Sequence, residues 1–231
     1  MVFINQRGTR AARHALPDYT RGEEIFNMVS HIAGGGFAVL ALVACVVVAI
    51  VYDNTWGIAS GAIYGVTMII LYAMSSLYHG LKREKAKIVF RVFDHCCIFL
   101  LISGTYTPLT LCTLNGTLGW WIFGVNWGFA ILGIVLNALS IERFKVFSMI
   151  CYIGMGWMVV FAIKPLIDAL PLPALLYLLG GGIAYTGGVI FYAFGKKAKY
   201  IHSVWHLFVV LGSVLHFVCI LVYVMPIKEV I

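Results

Sequence analysis

Hydrophobic residues fall into seven long runs separated by short polar breaks, roughly 27–52, 57–79, 89–112, 119–140, 146–163, 172–194 and 201–225. Each approaches or exceeds the ~20 apolar residues that carry a helix across a bilayer. A backbone inside hydrocarbon must satisfy its own hydrogen bonds, which long apolar runs do as helices. The pattern predicts an all-α, polytopic membrane protein built as a seven-transmembrane-helix bundle. The connections are short and leave no room for a separate soluble domain. Residues 1–24 read as a basic amino-terminal tail and 25–231 as the membrane domain. Glycine clusters at Gly34–Gly36, Gly180–Gly182 and Gly187–Gly188 lie within runs, where they let helices approach closely. Trp56, Trp120, Trp121, Tyr200 and Tyr223 sit near run ends and suit interfacial belts.

Composition agrees: 62% of the 231 residues are hydrophobic and only 11% charged, against about 25% charged in soluble proteins. The six cysteines lie inside or at the ends of apolar runs, and adjacent Cys96 and Cys97 make a poor disulfide pair. They read as packing residues rather than a disulfide framework. The first residues are polar and basic and the first apolar run is long enough to span, so no cleavable signal peptide is expected.

Charge then sets orientation. Arg7, Arg10, Arg13 and Arg21 lie in the tail, Lys82, Arg83, Lys85, Lys87 and Arg91 around the second connection, Arg143 and Lys145 in the fourth, and Lys196, Lys197 and Lys199 in the sixth. Only Lys164 and Lys228, of 16 basic residues, fall on the other side. The positive-inside rule predicts a cytoplasmic amino terminus and an external carboxy terminus. The net charge of +7 is thereby explained by topology and anionic headgroups, and nucleic acid is excluded as a partner.

Placed on that topology, the unusual polar residues gather. Ser75 and His79 are four apart at the end of the second run; Asp94 lies near the start of the third. His202 and His206 form His-x-x-x-His at the start of the seventh; Glu23, Glu24, Asn27 and His31 open the first. All fall at one depth, near the cytoplasmic leaflet. Residues four apart share a helix face, so His79, His202 and His206 suit Zn²⁺, which catalytic sites commonly hold with three protein ligands and one water. Such a zinc brings the pKa of its water to about 7. Asp94 and Ser75 would then orient, deprotonate or hydrogen-bond that water. Bland alternatives exist for each residue alone: Asp94 paired with Arg91, Ser75 bonded back to a carbonyl of its own helix, a histidine packed and hydrogen-bonded. Intramembrane ionisable clusters nevertheless point to function. Glu24, Asn27 and His31 are expected either to line the mouth of the site or to cap the first helix, and His95 to make a supporting or interhelical contact. His216 lies 14 residues, or about 21 Å, beyond His202 and cannot share its metal; a contact to another helix is expected. His14 has no evident role.

Six segments, "EEIFNMVSHIAGG", "SSLYH", "FDHCCIFLLISGTYTPLTL", "GWMVVFAIKPL", "GGGIAYTGGVIFYA" and "HSVWHLFVVLGSVLHF", together resemble the hemolysin III proteins, the bacterial branch of the progestin and adipoQ receptor (PAQR) family. The resemblance runs from about residue 20 to 225. It implies seven helices with a cytoplasmic amino terminus and a zinc site whose Ser-x-x-x-His, helix-3 Asp and His-x-x-x-His match Ser75, His79, Asp94, His202 and His206. The wider superfamily, with alkaline ceramidases and adiponectin receptors, implies hydrolysis of lipid amides. No large soluble hormone-binding domain is expected, and nothing resembles a secreted cytolysin.

The leading expectation is a zinc-dependent hydrolase of a lipid amide or ester. It would serve membrane-lipid homeostasis in the bacterial inner (cytoplasmic) membrane, with membrane lipid as substrate or ligand. A membrane-state sensor with a structural zinc is the alternative. A channel or ion-coupled transporter using His31, Asp94 and His216 fits less well, because polar groups are sparse in the outer half.

Overall fold

The first helix begins where the chain supplies its own cap. Thr20 Oγ1 accepts from Glu23 N–H, and the Glu23 carboxylate reaches back to accept from Thr20 N–H at 2.8 Å, a reciprocal capping box. Helix α1 runs Arg21–Val51, starting several residues ahead of its apolar run. In this computed structural model, which describes residues 16–194 and 198–227, it is followed by α2 (Thr55–Gly80), α3 (Glu84–Pro108) and α4 (Gly116–Gly156). A short α5 (Ile163–Ala169) leads to α6 (Leu172–Phe194) and α7 (Ile201–Cys219). Among the described residues there is no strand. Arg7, Arg10, Arg13, His14, Lys196, Lys197 and Lys228 lie outside them.

Among the described residues, six helical stretches are long and apolar enough to cross a membrane. The longest, residues 116–169, has 54 residues, about 80 Å if straight, far more than the ~30 Å hydrocarbon core. It is not straight. Ser140 adopts extended backbone (φ −169°, ψ 108°) inside α4, and its Oγ accepts from Arg143 N–H at 3.3 Å, restarting the helix. The two halves lie antiparallel. Asn137 accepts from Ser148 (2.7 Å) and donates to Tyr152 Oη (3.3 Å), while farther along Asn126 donates to the Met155 carbonyl. The second half ends at Gly156, earlier than its apolar run, because Tyr106 closes it. The Tyr106 hydroxyl donates to the Gly156 carbonyl (2.7 Å) and accepts from Val159 N–H (2.8 Å), turning the chain into a 3₁₀ segment, Met158–Ala162.

Irregular turns mark the far ends of α3 and α7. Pro108 lacks an N–H and crowds the preceding turn, and α3 continues as a π-helical turn over Leu109–Leu114. Thr105, Thr107 and Thr110 donate back to the carbonyls of Leu101, Ser103 and Tyr106 in the last turns of α3. The π turn after α7, Ile220–Val224, exposes carbonyls that Asn54 Nδ2 meets, with Met225 O at 3.1 Å.

The core is small and close-packed: Ala38, Ala41, Cys45 and Ala49 of α1 meet Tyr64, Met68, Leu71 and Tyr72 of α2. All six cysteines are buried, as packing residues. Outward faces are apolar. Leu40, Val51, Leu139, Ile150 and Phe161 are exposed, a surface that water would not tolerate and hydrocarbon does. Basic connections converge at one end: Lys87 meets Glu24, Arg91 pairs with Glu142 at 2.7 Å, and Lys145 sits over the Tyr192 ring. Trp56 and Trp120 touch at the opposite end.

Close approach explains the α1 glycines selectively. A Cβ on Gly34 would stand 2.6 Å from the Tyr72 ring, which cannot swing away freely because its hydroxyl donates to Ser213 Oγ at 2.8 Å. Gly36, two residues on, faces open space. Gly34→Ala is expected to destabilise the bundle by about 1–3 kcal/mol through overpacking. Gly36→Ala should be neutral or gain up to ~1 kcal/mol of helix propensity. Thermal unfolding of both variants in detergent checks the contrast.

Candidate metal centre

The convergence of basic connections brings four helix ends together, and the imidazoles meet there. His79 is the penultimate residue of α2. Helix α7 begins after Tyr200, whose left-handed backbone (φ 63°) redirects the chain, and His202 and His206 follow on its first two turns. Ring nitrogens of the three residues lie within 4.8 Å of one another, and all three side chains are buried. His202 Nε2 and His206 Nε2 are 3.1 Å apart. Ring nitrogens that close either share a proton or direct both lone pairs at one cation. Nitrogens bound tetrahedrally at zinc distances stand about 3.3 Å apart; the His202–His206 pair has that spacing, and the three imidazoles have the donor chemistry for such an ion.

Helix α1 supplies the wall. Glu24 Oε2 lies 2.6 Å from His79 Nδ1, and Glu24 Oε1 accepts from Lys87 Nζ at 2.6 Å. Asn27, fully buried, accepts from Ser203 Oγ (2.6 Å) and places its amide nitrogen 3.5 Å from His79 Nδ1. The His31 ring lies 3.8 Å, centroid to centroid, from His206 and edge-on to Tyr72. Buried polar atoms without a hydrogen-bond partner collect here: both nitrogens of His31, Ser75 Oγ, His79 Nε2 and His206 Nδ1. Such atoms are costly unless something meets them.

A cavity of about 90 Å³ opens from this cluster. Its polar end is lined by His31, Ser75, Asp94, His95, His202 and His206. Its walls continue past Ile98, Leu101, Ile102, Val189 and Val209 to Tyr106, Trp157, Thr186 and His216. The helix between His202 and His216 spans about 21 Å, so this passage is long, narrow and mostly apolar.

Each residue singled out in the sequence now has a place. His79, His202 and His206 are brought together. Ser75 and Asp94 line the same cavity. Ser75 is unpartnered, while neighbouring Ser76 bonds back to the Tyr72 carbonyl at 2.7 Å. Arg91 turns to Glu142 on α4, and Asp94 Oδ2 lies 3.7 Å from His95 Nδ1. His95 bridges helices: its Nδ1 meets the Arg91 carbonyl and its Nε2 the Tyr192 hydroxyl at 3.2 Å. Glu24, Asn27 and His31 all face the cluster, whereas Glu23 alone caps α1. His216 donates to the Leu178 carbonyl on α6 at 3.1 Å.

Three residues went unmarked in the sequence. Tyr19, just ahead of α1, stacks on His202 with ring centroids 4.9 Å apart, covering the cluster at the end where the basic connections meet. Burial pushes its phenol well above the usual range, so it covers the site as a neutral ring. Ser203 ties α7 to α1 through Asn27. Lys87 reads in the sequence only as a topology charge. The signal for Tyr19 was slight: one aromatic in a polar segment immediately before a helix cap.

Sequence comparison shows the chain's family. A family model described as Haemolysin-III related matches residues 19–217. A Bacillus cereus protein named Hemolysin-3 is 40% identical over 204 residues, covering 88% of this chain and 93% of its own length. The Hemolysin-3 homolog of Bacillus subtilis (strain 168) is 40% identical over 205 residues, covering 89% and 96%. A human protein named monocyte to macrophage differentiation factor is 25% identical over 232 residues, covering 96% and 91%. The chain is a multi-pass integral membrane protein and belongs to the haemolysin III family.

Proposed function

We propose that this protein is a zinc-dependent hydrolase of a membrane lipid amide or ester, acting in membrane-lipid homeostasis from within the bacterial cytoplasmic membrane. One observation carries the reading: three buried imidazoles cluster, and two of them, His202 and His206, line a long, mostly apolar cavity with the Asp94 carboxylate and Ser75, whose hydroxyl has no partner among the described residues. Three histidines with no fourth protein ligand among the described residues is the donor pattern of catalytic rather than structural zinc. His79, His202 and His206 would hold the zinc, which would supply Lewis acidity toward a carbonyl and a water activated at neutral pH. Asp94 orients the attacking water and takes its proton, later returning it to the leaving group. Ser75 donates to the reacting oxygen. The aliphatic walls hold a hydrocarbon chain, and the packed Tyr19 ring limits bulk water at the polar end.

The proposed topology counts the two antiparallel halves of α4 as separate crossings, which gives seven. The amino terminus is then cytoplasmic and the carboxy terminus external, with the basic connections and the metal site near the inner leaflet. A carboxy-terminal alkaline phosphatase fusion is expected to be active in cells and a carboxy-terminal green fluorescent protein fusion dark. The reverse pair would place the site at the other face.

Detergent-purified protein should contain about one zinc per chain by elemental mass spectrometry, and His202→Ala/His206→Ala should lose it. Asp94→Asn should keep the zinc while release of fatty acid from a panel of lipid amides and esters falls about 10²–10⁴-fold. No zinc in folded wild type after metal is added back would end the metal reading. Zinc without turnover on any lipid would replace the hydrolase with a sensor whose zinc is structural.

A further inference from the structure

Two adjacent glutamates at the start of α1 have different tasks. Glu23 belongs to the fold: its carboxylate closes the capping box on Thr20 and accepts from Tyr200 N–H at 2.8 Å, joining α1 to the start of α7. Glu24 points elsewhere. One oxygen lies 2.6 Å from His79 Nδ1 and the other 2.6 Å from Lys87 Nζ. A carboxylate accepts hydrogen bonds, so His79 carries its proton on Nδ1 and keeps the Nε2 lone pair free. That Nε2 is buried and has no partner among the described residues.

We infer that Glu24, held in place by Lys87, is a positioning residue that fixes the tautomer and ring orientation of His79 and thereby sets the metal affinity of the three-histidine site. The inference rests on the metal reading above and deepens it. A histidine at the end of a helix can turn its ring, and each misaligned orientation would cost the cluster one donor. Glu24 removes that freedom from one side and the Tyr78 ring, 4.5 Å from His79 between centroids, limits it from another. Lys87 also packs over Tyr78, with Nζ 5.1 Å from the ring centroid, so Glu24, Lys87, Tyr78 and His79 form one packed unit. Because Glu24 and Lys87 sit on different helices, α1, α2 and α3 must all be in register for His79 to point correctly. Hydrogen-bond partners behind a metal-bound imidazole typically contribute 10–100-fold in affinity.

The test is competitive titration of Co²⁺ and Zn²⁺ into the full-length, detergent-purified chain, read by chelator competition and by the visible absorption of bound Co²⁺. Wild type, Glu24→Gln, Lys87→Met and Glu23→Gln are compared. Glu24→Gln, nearly isosteric, is expected to weaken metal binding by about 10–100-fold and to alter the Co²⁺ spectrum, with little change in thermal unfolding of the metal-free protein. Lys87→Met should weaken binding in the same direction but less. Glu23→Gln should lower the unfolding temperature yet leave affinity and spectrum as in wild type. Wild-type affinity and spectrum in Glu24→Gln would overturn the inference while the metal site stands. Equal loss of affinity in Glu23→Gln and Glu24→Gln would also overturn it, assigning the effect to helix stability. Failure of wild type to bind either metal would remove both the inference and the metal site.

Discussion

Three imidazoles packed within 4.8 Å of one another, inside helices that face hydrocarbon, impose a demand that the surrounding atoms do not meet. Lipid offers no water to satisfy a stranded nitrogen, and a buried polar atom without a partner is destabilising. Much of the polar architecture is arranged around that demand. Glu24 and Asn27 reach the cluster from α1, Ser203 ties α7 to α1, and Tyr19 covers His202. A cation placed among the three nitrogens resolves the demand at once. It also explains why Nε2 atoms of His202 and His206 approach to 3.1 Å where neutral rings would have to share a single proton.

The rest of the bundle makes this meeting of helix ends geometrically achievable. Gly34 lets α1 lie against the Tyr72 ring, and Tyr72 with Tyr185 converges on the Ser213 hydroxyl, fixing α2 and α6 against α7. Farther out, Gly181 gives room to His216, which fastens α7 to the Leu178 carbonyl on α6. These contacts share a logic suited to membranes: small residues allow close backbone approach, and buried hydroxyls or rings supply directional bonds that hydrocarbon cannot compete for. The apolar cavity remains between them, walled by residues such as Ile98, Leu101 and Val209.

Much of this was legible in the sequence because it is local. Ser75 and His79, or His202 and His206, declare a shared face through a spacing of four, and apolar runs declare helices by length alone. The asymmetric basic residues supplied the one long-range fact, that ends of distant runs lie at the same level. Pairings across the chain were not legible. Glu23 and Glu24 are neighbours with the same chemistry, yet one meets Tyr200 and the other His79, and only the rotation of α1 decides which. The break at Ser140 was legible, because the fourth and fifth apolar runs part there around Arg143 and Lys145; the contacts of Asn137 with Ser148 and Tyr152, which form once the halves fold back, were not. Tyr19 escaped because an aromatic ahead of a helix cap reads as an interfacial anchor until a ring is found beneath it.

The central claim is the ligand set itself, and X-ray absorption at the zinc K-edge of the purified, zinc-loaded protein tests it most directly. The expected result is a first shell of three imidazole nitrogens and one oxygen at about 2.0–2.1 Å, with the outer scattering of histidine rings. A shell containing sulfur at about 2.3 Å, or one made of oxygen with no imidazole scattering, would contradict it.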